Sequence, residues 1–197
     1  MVAPVLIFAI GNESRGDDAL GPLLLRKLDG WLKGQANVET STPSLILPLH
    51  GGGDFFELLE DFQLQVEHAM DMQGRQLVLF IDAGMDTGAP FSFYRAQKNA
   101  EPVLYSHALA PEALLNVYAQ FYQEAPPDVF ILCVCGERFE LGEGLSPQAV
   151  ERLALVFEFG KKLLHTPEVV AWDSKCMQKT MEETMKHGDN HSAQARC

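Results

Sequence analysis

Three polar residues in the sequence each follow a segment that reads as a strand, and together they could contact a metal ion. Asp18 lies in GNESRGDDALGP (residues 11–22), directly after the apolar run VLIFAI. Asp82 closes the apolar run QLVLFIDAG, and His107 lies in YSHALAPE, after a short alternating segment. Two carboxylates and an imidazole form a mixed oxygen and nitrogen ligand set, which suits a divalent ion such as nickel, zinc or cobalt. Three protein ligands leave at least one coordination position open, as in a catalytic or substrate-completed centre.

Each of these residues also has a simpler explanation. Asp18 equally fits the N-cap of the helix that follows it, and His107 fits a surface histidine near a helix start. Asp82 is harder to explain as scaffold, because an unpaired carboxylate at the end of a buried strand is costly. Asp17 is expected to be a plain cap or turn residue that points elsewhere. The three residues taken together are a more specific signal than any one of them.

The segments that must position these residues alternate between strand and helix. Apolar or alternating runs predict strands over residues 5–10, 38–49, 76–84, 90–96 and 128–136. Helical spacing and capping residues predict helices over 20–32, from Asp54 as N-cap through a helix or turn to Gly74, from Pro111 over 110–123, and over 145–164 with Ser146 as N-cap and Pro147 at the first position. This alternation predicts an α/β fold in three layers, a mostly parallel twisted sheet of about five strands with helices on both faces.

The predicted sheet has a consequence for the site. Loops that follow parallel strands meet at one edge of the sheet, so Asp18, Asp82 and His107 are expected to lie there. The domain is predicted to span residues 1–165. Residues 166–197 are polar and rich in methionine, and they are predicted to form a C-terminal extension that is partly helical or disordered.

The composition excludes several classes of protein. With 15 basic and 27 acidic residues the formal charge is −12, which argues against nucleic acid or an anionic membrane surface as a partner. No apolar run approaches the ~20 residues that span a bilayer, and no basic segment precedes the first apolar run. Four cysteines do not make a disulfide framework, and Cys133 and Cys135 read as buried apolar residues. We therefore expect a cytoplasmic protein.

The known short motifs of several enzyme classes are missing. The sequence has no Gly-x-Gly-x-x-Gly dinucleotide fingerprint, no P-loop ending in Gly-Lys-Ser/Thr, and no Gly-x-Ser-x-Gly nucleophile elbow. A small-molecule enzyme that uses the same sheet edge for a nucleotide or sugar is therefore a weak alternative.

Four motifs occur in an order and spacing that resemble a known family. GNESRGDDALGP, LVLFIDAG, SHALAPEALL and CVCGERFELGEGLSPQAVERL together resemble the [NiFe]-hydrogenase maturation endopeptidases over residues 4–164. The stretch DFQLQVEHAMDM further resembles the branch that serves bidirectional, NAD-linked hydrogenases. The sequence departs from the family at LHGGGD, where relatives often have an Asp-Gly-Gly-Thr turn, and we expect no contact from His50 or Asp54.

The resemblance implies a function and a partner. Such enzymes remove a C-terminal extension from the [NiFe]-hydrogenase large-subunit precursor after nickel insertion. The three metal-contacting positions of the family fall on Asp18, Asp82 and His107, and the first is Glu in part of the family and Asp in another part. The nickel would be supplied by the substrate and serve as the recognition element. The sequence leaves open whether a metal or an aspartate dyad drives hydrolysis, and a metal-sensing chaperone that does not cut remains the alternative function.

Overall fold

The structure is a computed structural model that describes residues 2–38, 55–85, 87–97 and 109–177. Within these residues the strands are β1 (Val5–Ile10), β2 (Phe56–Asp61), β3 (Leu77–Gly84), β4 (Phe91–Arg95) and β5 (Asp128–Cys135). The α-helices are α1 (Leu20–Val38), α2 (Pro111–Tyr122), α3 (Pro147–His165) and α4 (Val169–Asp173). Two short 3₁₀ helices cover Gly16–Ala19 and Val66–Ala69.

The described strands form one five-stranded sheet in the order β2-β1-β3-β5-β4. The first four strands of this order run parallel, and β4 pairs antiparallel with β5 at one edge. The predicted mostly parallel sheet is therefore confirmed. The antiparallel edge strand arises because β4 follows β3 through a short connection that brings it back along β5.

The sheet is buried on both faces, and alternate residues of each strand supply two separate cores. Val5, Ile7 and Ala9 of β1 pack in a first core together with α1, α3 and α4, whereas the residues between them pack in a second core with α2 and the 3₁₀ helix Val66–Ala69. Strands buried on both faces read as continuous apolar runs, which is why β1, β3 and β5 were predictable from the sequence. The three predicted layers are confirmed.

Helix α1 is longer than its predicted range of 20–32. Leu20, Leu24, Leu28 and Leu32 are buried against the first face of the sheet, and Trp31 is only half-buried. The helix continues to Val38 through Gly34, because a glycine inside a helix costs only about 1 kcal/mol relative to alanine. At the other end of the chain, Ser146 caps α3 as predicted, since its hydroxyl accepts the Ala149 N–H at 3.1 Å.

The prediction of a helix beginning at Asp54 is wrong over residues 56–61, which form the edge strand β2. Its polar residues and its Leu-Leu pair resemble an amphipathic helix when read alone. Parallel pairing with β1, in which Val5 lies opposite Phe56 and Ile10 opposite Asp61, supplies the backbone hydrogen bonds that override this preference. The following residues do form a helical turn, as predicted. Asp54 itself, and the predicted strand over 38–49 apart from Val38, lie outside the described residues.

The first residues of the predicted C-terminal extension pack against the domain. Trp172 in α4 is fully buried in the first core, and its indole N–H donates to the carbonyl oxygen of Leu163 at 3.0 Å. Its ring lies edge-on to Phe130 of β5, with the ring centroids 5.3 Å apart. The backbone N–H of Met177 also donates to the carbonyl oxygen of Phe93. The boundary at residue 165 stays a prediction, because residues 178–197 lie outside the described part of the chain.

Candidate active site

The loop after β1 is shaped to hold the Asp18 carboxylate. Gly11 has φ +146°, and a Cβ placed on it would lie 2.0 Å from the backbone oxygen of Asp18, so no other residue fits. The Gly11 N–H donates to the carbonyl oxygen of Asp61 at the end of β2, which fixes the direction in which the loop leaves the sheet. The next N–H, that of Asn12, donates to Oδ2 of Asp18 at 3.1 Å. The glycine therefore allows the backbone to wrap around the first candidate carboxylate.

Asp17, beside it in the 3₁₀ helix, has a different role. Both side chains are 0% exposed, but the Asp17 carboxylate faces the loop between β5 and α3. It accepts the N–H groups of Glu137, Arg138 and Ser146 at 2.7, 3.1 and 2.7 Å, and the Ser146 hydroxyl at 2.8 Å. Burial acts to raise the pKa of Asp17, but these hydrogen bonds outweigh it and the net pKa is lowered. Asp17 is thus the turn residue that the sequence predicts, and it points elsewhere.

The same two loops are also joined through their backbones. Asp17 N–H donates to the Arg138 carbonyl oxygen at 2.7 Å, and Gly142 N–H donates to the Ser14 carbonyl oxygen at the same distance. Gly16 has φ +55°, and a Cβ there would lie 2.6 Å from the Arg138 oxygen. The β5–α3 loop, which contains the GEGLSP segment, therefore holds the 3₁₀ helix that carries Asp18.

Asp82 is the second candidate carboxylate and lies near the end of β3. It is 6% exposed, and its Oδ1 accepts the N–H of Ala83 at 2.7 Å. Val78 and Phe80, at the alternate positions before it, pack in the second core, so Asp82 is on that face of the sheet. Both of its neighbours in the sheet, β1 and β5, run parallel to β3. Asp82 therefore lies at the carboxyl edge of the sheet, where it was predicted.

The start of α1 shows that Asp18 and Asp82 share this edge. A Cβ added to Gly21 would lie 2.3 Å from the carbonyl oxygen of Ile10 and 3.1 Å from that of Ile81. The first turn of α1 thus rests directly on the ends of β1 and β3. Asp18 precedes Gly21 by three residues and Asp82 follows Ile81, and the 3₁₀ helix contacts β3. Two buried carboxylates at one edge can supply oxygen ligands to a divalent ion or share a proton as an acid–base pair.

The third predicted ligand, His107, lies outside the described residues, as do His50 and Asp54. Among the residues that the structure does describe, no group of three His, Cys, Asp or Glu side chains is placed to hold a metal ion. The ligand set Asp18, Asp82 and His107 therefore stays a prediction. Cys133 and Cys135 are buried in β5, and burial raises the pKa of the Cys135 thiol.

Two polar residues near Asp82 were not identified from the sequence. The Tyr94 hydroxyl on β4 hydrogen-bonds to the carboxylate of Glu112 in the first turn of α2. Burial is the main cause that raises the pKa of Tyr94, and the negative charges of Glu112 and Asp82 add to it. The alternation in PFSFYRA does give a signal, because it sets Tyr94 on the face opposite Phe91 and Phe93. Nothing in the sequence indicates that this face meets Glu112.

The fold of this chain has clear counterparts among solved structures. The hydrogenase maturating endopeptidase HybD from E. coli superposes with a TM-score of 0.56 at 22% sequence identity, covering 79% of this chain and 88% of that chain. The [NiFe] hydrogenase maturation protease HybD from Thermococcus kodakarensis gives a TM-score of 0.53 at 20% identity, covering 81% and 98%. HycI from Thermococcus kodakarensis, a protease of the same description, gives 0.51 at 21% identity, covering 82% and 92%.

These similarities establish that the chain has the fold of the hydrogenase maturation endopeptidases. No protein-family model matches the sequence, and no curated protein matches it at a significant level. Among the described residues no helix is both long and apolar enough to cross a membrane.

Proposed function

We propose that the protein is an endopeptidase that removes the C-terminal extension of a [NiFe]-hydrogenase large-subunit precursor. The observation that carries the proposal is the placement of Asp18 and Asp82 at one sheet edge, in the fold shared with hydrogenase maturation endopeptidases. The motif resemblance over residues 4–164 supports it independently of the fold. Service to the bidirectional, NAD-linked hydrogenases and a cytoplasmic location are parts of the same proposal.

Nickel enters this proposal as part of the substrate. Asp18 and Asp82 offer oxygen donors, and His107 would offer a nitrogen donor, to a nickel ion already held by the precursor. A precursor without the metal lacks this contact, so its scissile bond is not held in register with the carboxylates. Nickel loading would thereby license the cleavage.

The carboxylates have a defined part in the hydrolysis itself. Cleavage adds water across the peptide bond: the water oxygen bonds to the carbonyl carbon, the C–N bond breaks, and a proton must reach the leaving nitrogen. One carboxylate can take the proton from water while the other, protonated, donates to the peptide. In a second route, the nickel ion of the substrate would polarise the peptide carbonyl, so that less proton donation would be needed from the protonated carboxylate. The carboxylates would then act mainly as metal contacts.

The test uses the purified full-length protein and a large-subunit precursor, prepared with and without nickel, with the precursor mass read before and after mixing. We expect loss of a C-terminal peptide only from the nickel-loaded form. Asp18→Asn and Asp82→Asn should each reduce the cleavage rate by at least about 100-fold, as loss of general acid–base catalysis does. The matched control is Asp29→Asn, because Asp29 is an acid on α1 whose 39% exposed side chain pairs with Lys33.

Each contrary outcome has a distinct meaning. Normal processing by Asp82→Asn would refute the site. Stable binding of the nickel-loaded precursor without any mass change, with the precursor confirmed as cognate, would favour the chaperone function. Cleavage of both precursor forms at equal rates would support the peptidase activity and refute its dependence on nickel.

A further inference from the structure

The acid at the end of β2, Asp61, lies level with Asp82 at the carboxyl edge of the sheet. Asp61 lies opposite Ile10 of β1, and the residue before Ile10 lies opposite the residue before Asp82 on β3. Asp61, Ile10 and Asp82 therefore form one row across three neighbouring strands, and residues of one row point to the same face. Ile10 belongs to the second core, so this is the face that carries Asp82. With strands about 4.8 Å apart, the backbones of the two acids are separated by about 10 Å.

The ring of His68 shows where the Asp61 carboxylate lies. His68 is in the 3₁₀ helix Val66–Ala69, and its ring packs on Phe8 of the second core with the ring centroids 4.7 Å apart. Its Nε2 atom lies 3.4 Å from Oδ2 of Asp61. The carboxylate is therefore turned toward the second face, as the row across the strands requires.

The imidazole in this pair is neutral. Its Nδ1 atom accepts the N–H of Gln65 at 3.0 Å, and a ring nitrogen that accepts a hydrogen bond carries no proton. The proton of His68 is then on Nε2 and faces Asp61. The imidazole therefore orients the carboxylate without neutralising its negative charge.

The other two acids of β2 are each neutralised by a guanidinium group. Glu57 pairs with Arg75 at 2.7 Å, and Glu60 pairs with Arg26 at 3.1 Å. The partner that the structure gives Asp61 is the neutral ring, and the Asp61 side chain is 38% exposed. Asp61 therefore keeps its charge at the candidate site and is accessible to a ligand.

Structural roles at this position do not require that charge. The backbone carbonyl oxygen of Asp61, not its carboxylate, accepts the Gly11 N–H and fixes the loop after β1. His68 packs through its ring on Phe8 and closes the first turn of its 3₁₀ helix through Nδ1. An oriented carboxylate that is not neutralised and lies beside a candidate peptidase site fits a positively charged group of the substrate.

We propose that Asp61 is a specificity-determining residue that binds a basic side chain of the precursor, and that His68 is a positioning residue for its carboxylate. An extended peptide advances about 3.3 Å per residue, so about 10 Å along the sheet edge corresponds to about three residues. With the scissile bond at Asp82, the basic residue that Asp61 binds lies about two to four positions from that bond. This inference rests on the proposed function, since Asp82 fixes where the scissile bond lies.

The test measures kcat and KM for the nickel-loaded precursor, together with thermal stability, in variants of the full chain. Asp61→Asn should raise KM about 5-fold with kcat nearly unchanged, because loss of one partly exposed ion pair weakens the binding of substrate and transition state equally. The matched control is Glu57→Gln, which removes an acid from the same strand and face that is already paired with Arg75, and it should leave KM unchanged. Equal KM values for Asp61→Asn and the wild type, with the precursor cleaved by both, would overturn the inference.

A charge exchange identifies the group that Asp61 binds. Each Lys, Arg or His of the precursor within about four positions of the scissile bond is replaced by Met, one at a time. One replacement should raise KM about 5-fold, and Asp61→Asn should add no further rise to it, because both remove the same pair. Asp61→Lys should raise KM about 10-fold or more, and replacement of the identified precursor residue by Glu should restore most of the loss. Rises that add in the combined variants, or a cognate precursor without a basic residue in that window, contradict the inference.

The role of His68 is tested by His68→Phe, which keeps a ring to pack on Phe8 but removes the Nε2 proton. This variant alone should raise KM about 3-fold, as loss of one oriented polar contact does. In the Asp61→Asn background it should have no effect on KM, because it acts through the Asp61 carboxylate. A rise of the same size in both backgrounds would show that His68 is not a positioning residue for Asp61.

A binding measurement keeps the inference separate from the cleavage assay. The probe is a synthetic peptide of the C-terminal segment of the precursor, titrated by calorimetry into the wild type and into Asp61→Asn. If the wild type cleaves the precursor and its KM equals that of Asp61→Asn, the inference fails and the proposed function stands. If the wild type binds the peptide about 5-fold more tightly than Asp61→Asn but cuts no precursor, the endopeptidase function fails and the recognition role stands. A wild type that cuts no precursor and binds the peptide no better than Asp61→Asn overturns both.

Discussion

Replacing Asp17 by Ala should cause a large loss of stability, because the Asp17 carboxylate joins the loop after β1 to the loop between β5 and α3. The substitution removes the carboxylate that accepts hydrogen bonds from three backbone N–H groups and from the Ser146 hydroxyl. Hydrogen bonds to charged groups contribute about 1.5–3 kcal/mol each, but bonds within one network do not add. We therefore expect the free energy of unfolding to fall by about 3–5 kcal/mol, the range in which a buried polar network breaks.

The Asp17→Asn variant tests the contribution of the negative charge, because asparagine keeps nearly the same side-chain shape without it. One amide oxygen can replace Oδ2, which takes three of the four bonds, but the amide NH₂ would then face the Ser146 N–H. The Asn variant should lose about 1–3 kcal/mol, less than the Ala variant. In a domain of this size 1 kcal/mol lowers Tm by about 2–4 °C, which predicts a Tm lower by about 6–20 °C for Asp17→Ala.

The pKa of Asp17 adds a dependence on pH. Because its folded-state pKa lies below the ordinary value of 3.8, the ionised carboxylate contributes stability that is fully present above that value. This contribution is lost as the pH falls through the lower folded-state pKa. The difference in unfolding free energy between the wild type and Asp17→Asn should therefore be constant from about pH 5 to 8 and narrow below about pH 4.

The assay is urea unfolding followed by circular dichroism at several pH values, with Tm from calorimetry. Asp29→Ala is the control for simple loss of an acid, and it should cost under about 0.5 kcal/mol because its pair with Lys33 is exposed. A Tm for Asp17→Ala within about 2 °C of the wild type would refute the reasoning, given the expected loss of about 3–5 kcal/mol. A difference for Asp17→Asn that stays constant down to pH 3 would refute its charge dependence.

Two further comparisons test the packing of the domain by thermal unfolding. Gly21→Ala, which places a Cβ 2.3 Å from the carbonyl oxygen at the end of β1, should lose about 1–3 kcal/mol or fail to fold, whereas Gly30→Ala on the same helix, with nothing within 4 Å, should gain up to about 1 kcal/mol. Equal effects of the two would contradict the close approach of α1 to the sheet. Trp172→Ala should lose about 3–5 kcal/mol, and Val170→Ala, 80% exposed on the same short helix, should lose under about 0.5 kcal/mol. A Trp172 variant as stable as the wild type would show that α4 is not part of the folded domain.

The strands that the sequence predicts best are those buried on both faces. β3 and β5 are continuous apolar runs, and only a strand between two helix layers needs such a run. β2 was not predicted as a strand because it is an edge strand with polar residues. Its backbone hydrogen bonds are made with β1, about 50 residues earlier in the sequence. The local sequence does not indicate this pairing, and FELLED read alone has a helical preference, so a helix was predicted.

In the candidate site, too, some residues can be predicted from the local sequence and others depend on contacts between distant segments. Asp82 is predictable because a carboxylate that ends a buried strand has few structural uses, and the parallel sheet decides which edge it occupies. Tyr94 and Glu112 are 18 residues apart in the sequence, on a strand and a helix, and each has an ordinary local explanation. Their meeting depends on how α2 lies across the second face, which follows from packing of the whole core and not from either segment.

The adjacent aspartates explain why the loop after β1 needs two acids in succession. A 3₁₀ helix turns by one third of a circle at each residue, so the side chains of Asp17 and Asp18 leave it in different directions. Asp17 is directed to the β5–α3 loop, where its carboxylate accepts hydrogen bonds from Glu137, Arg138 and Ser146. The Asp18 carboxylate accepts the Asn12 N–H at the sheet edge. A buried carboxylate at a reaction site is costly, and that cost must be met by stable surroundings. The structural acid supplies this stability one residue away from the candidate functional acid. Stability and activity are therefore expected to separate between the two positions: Asp17→Asn should act mainly on unfolding, and Asp18→Asn mainly on cleavage.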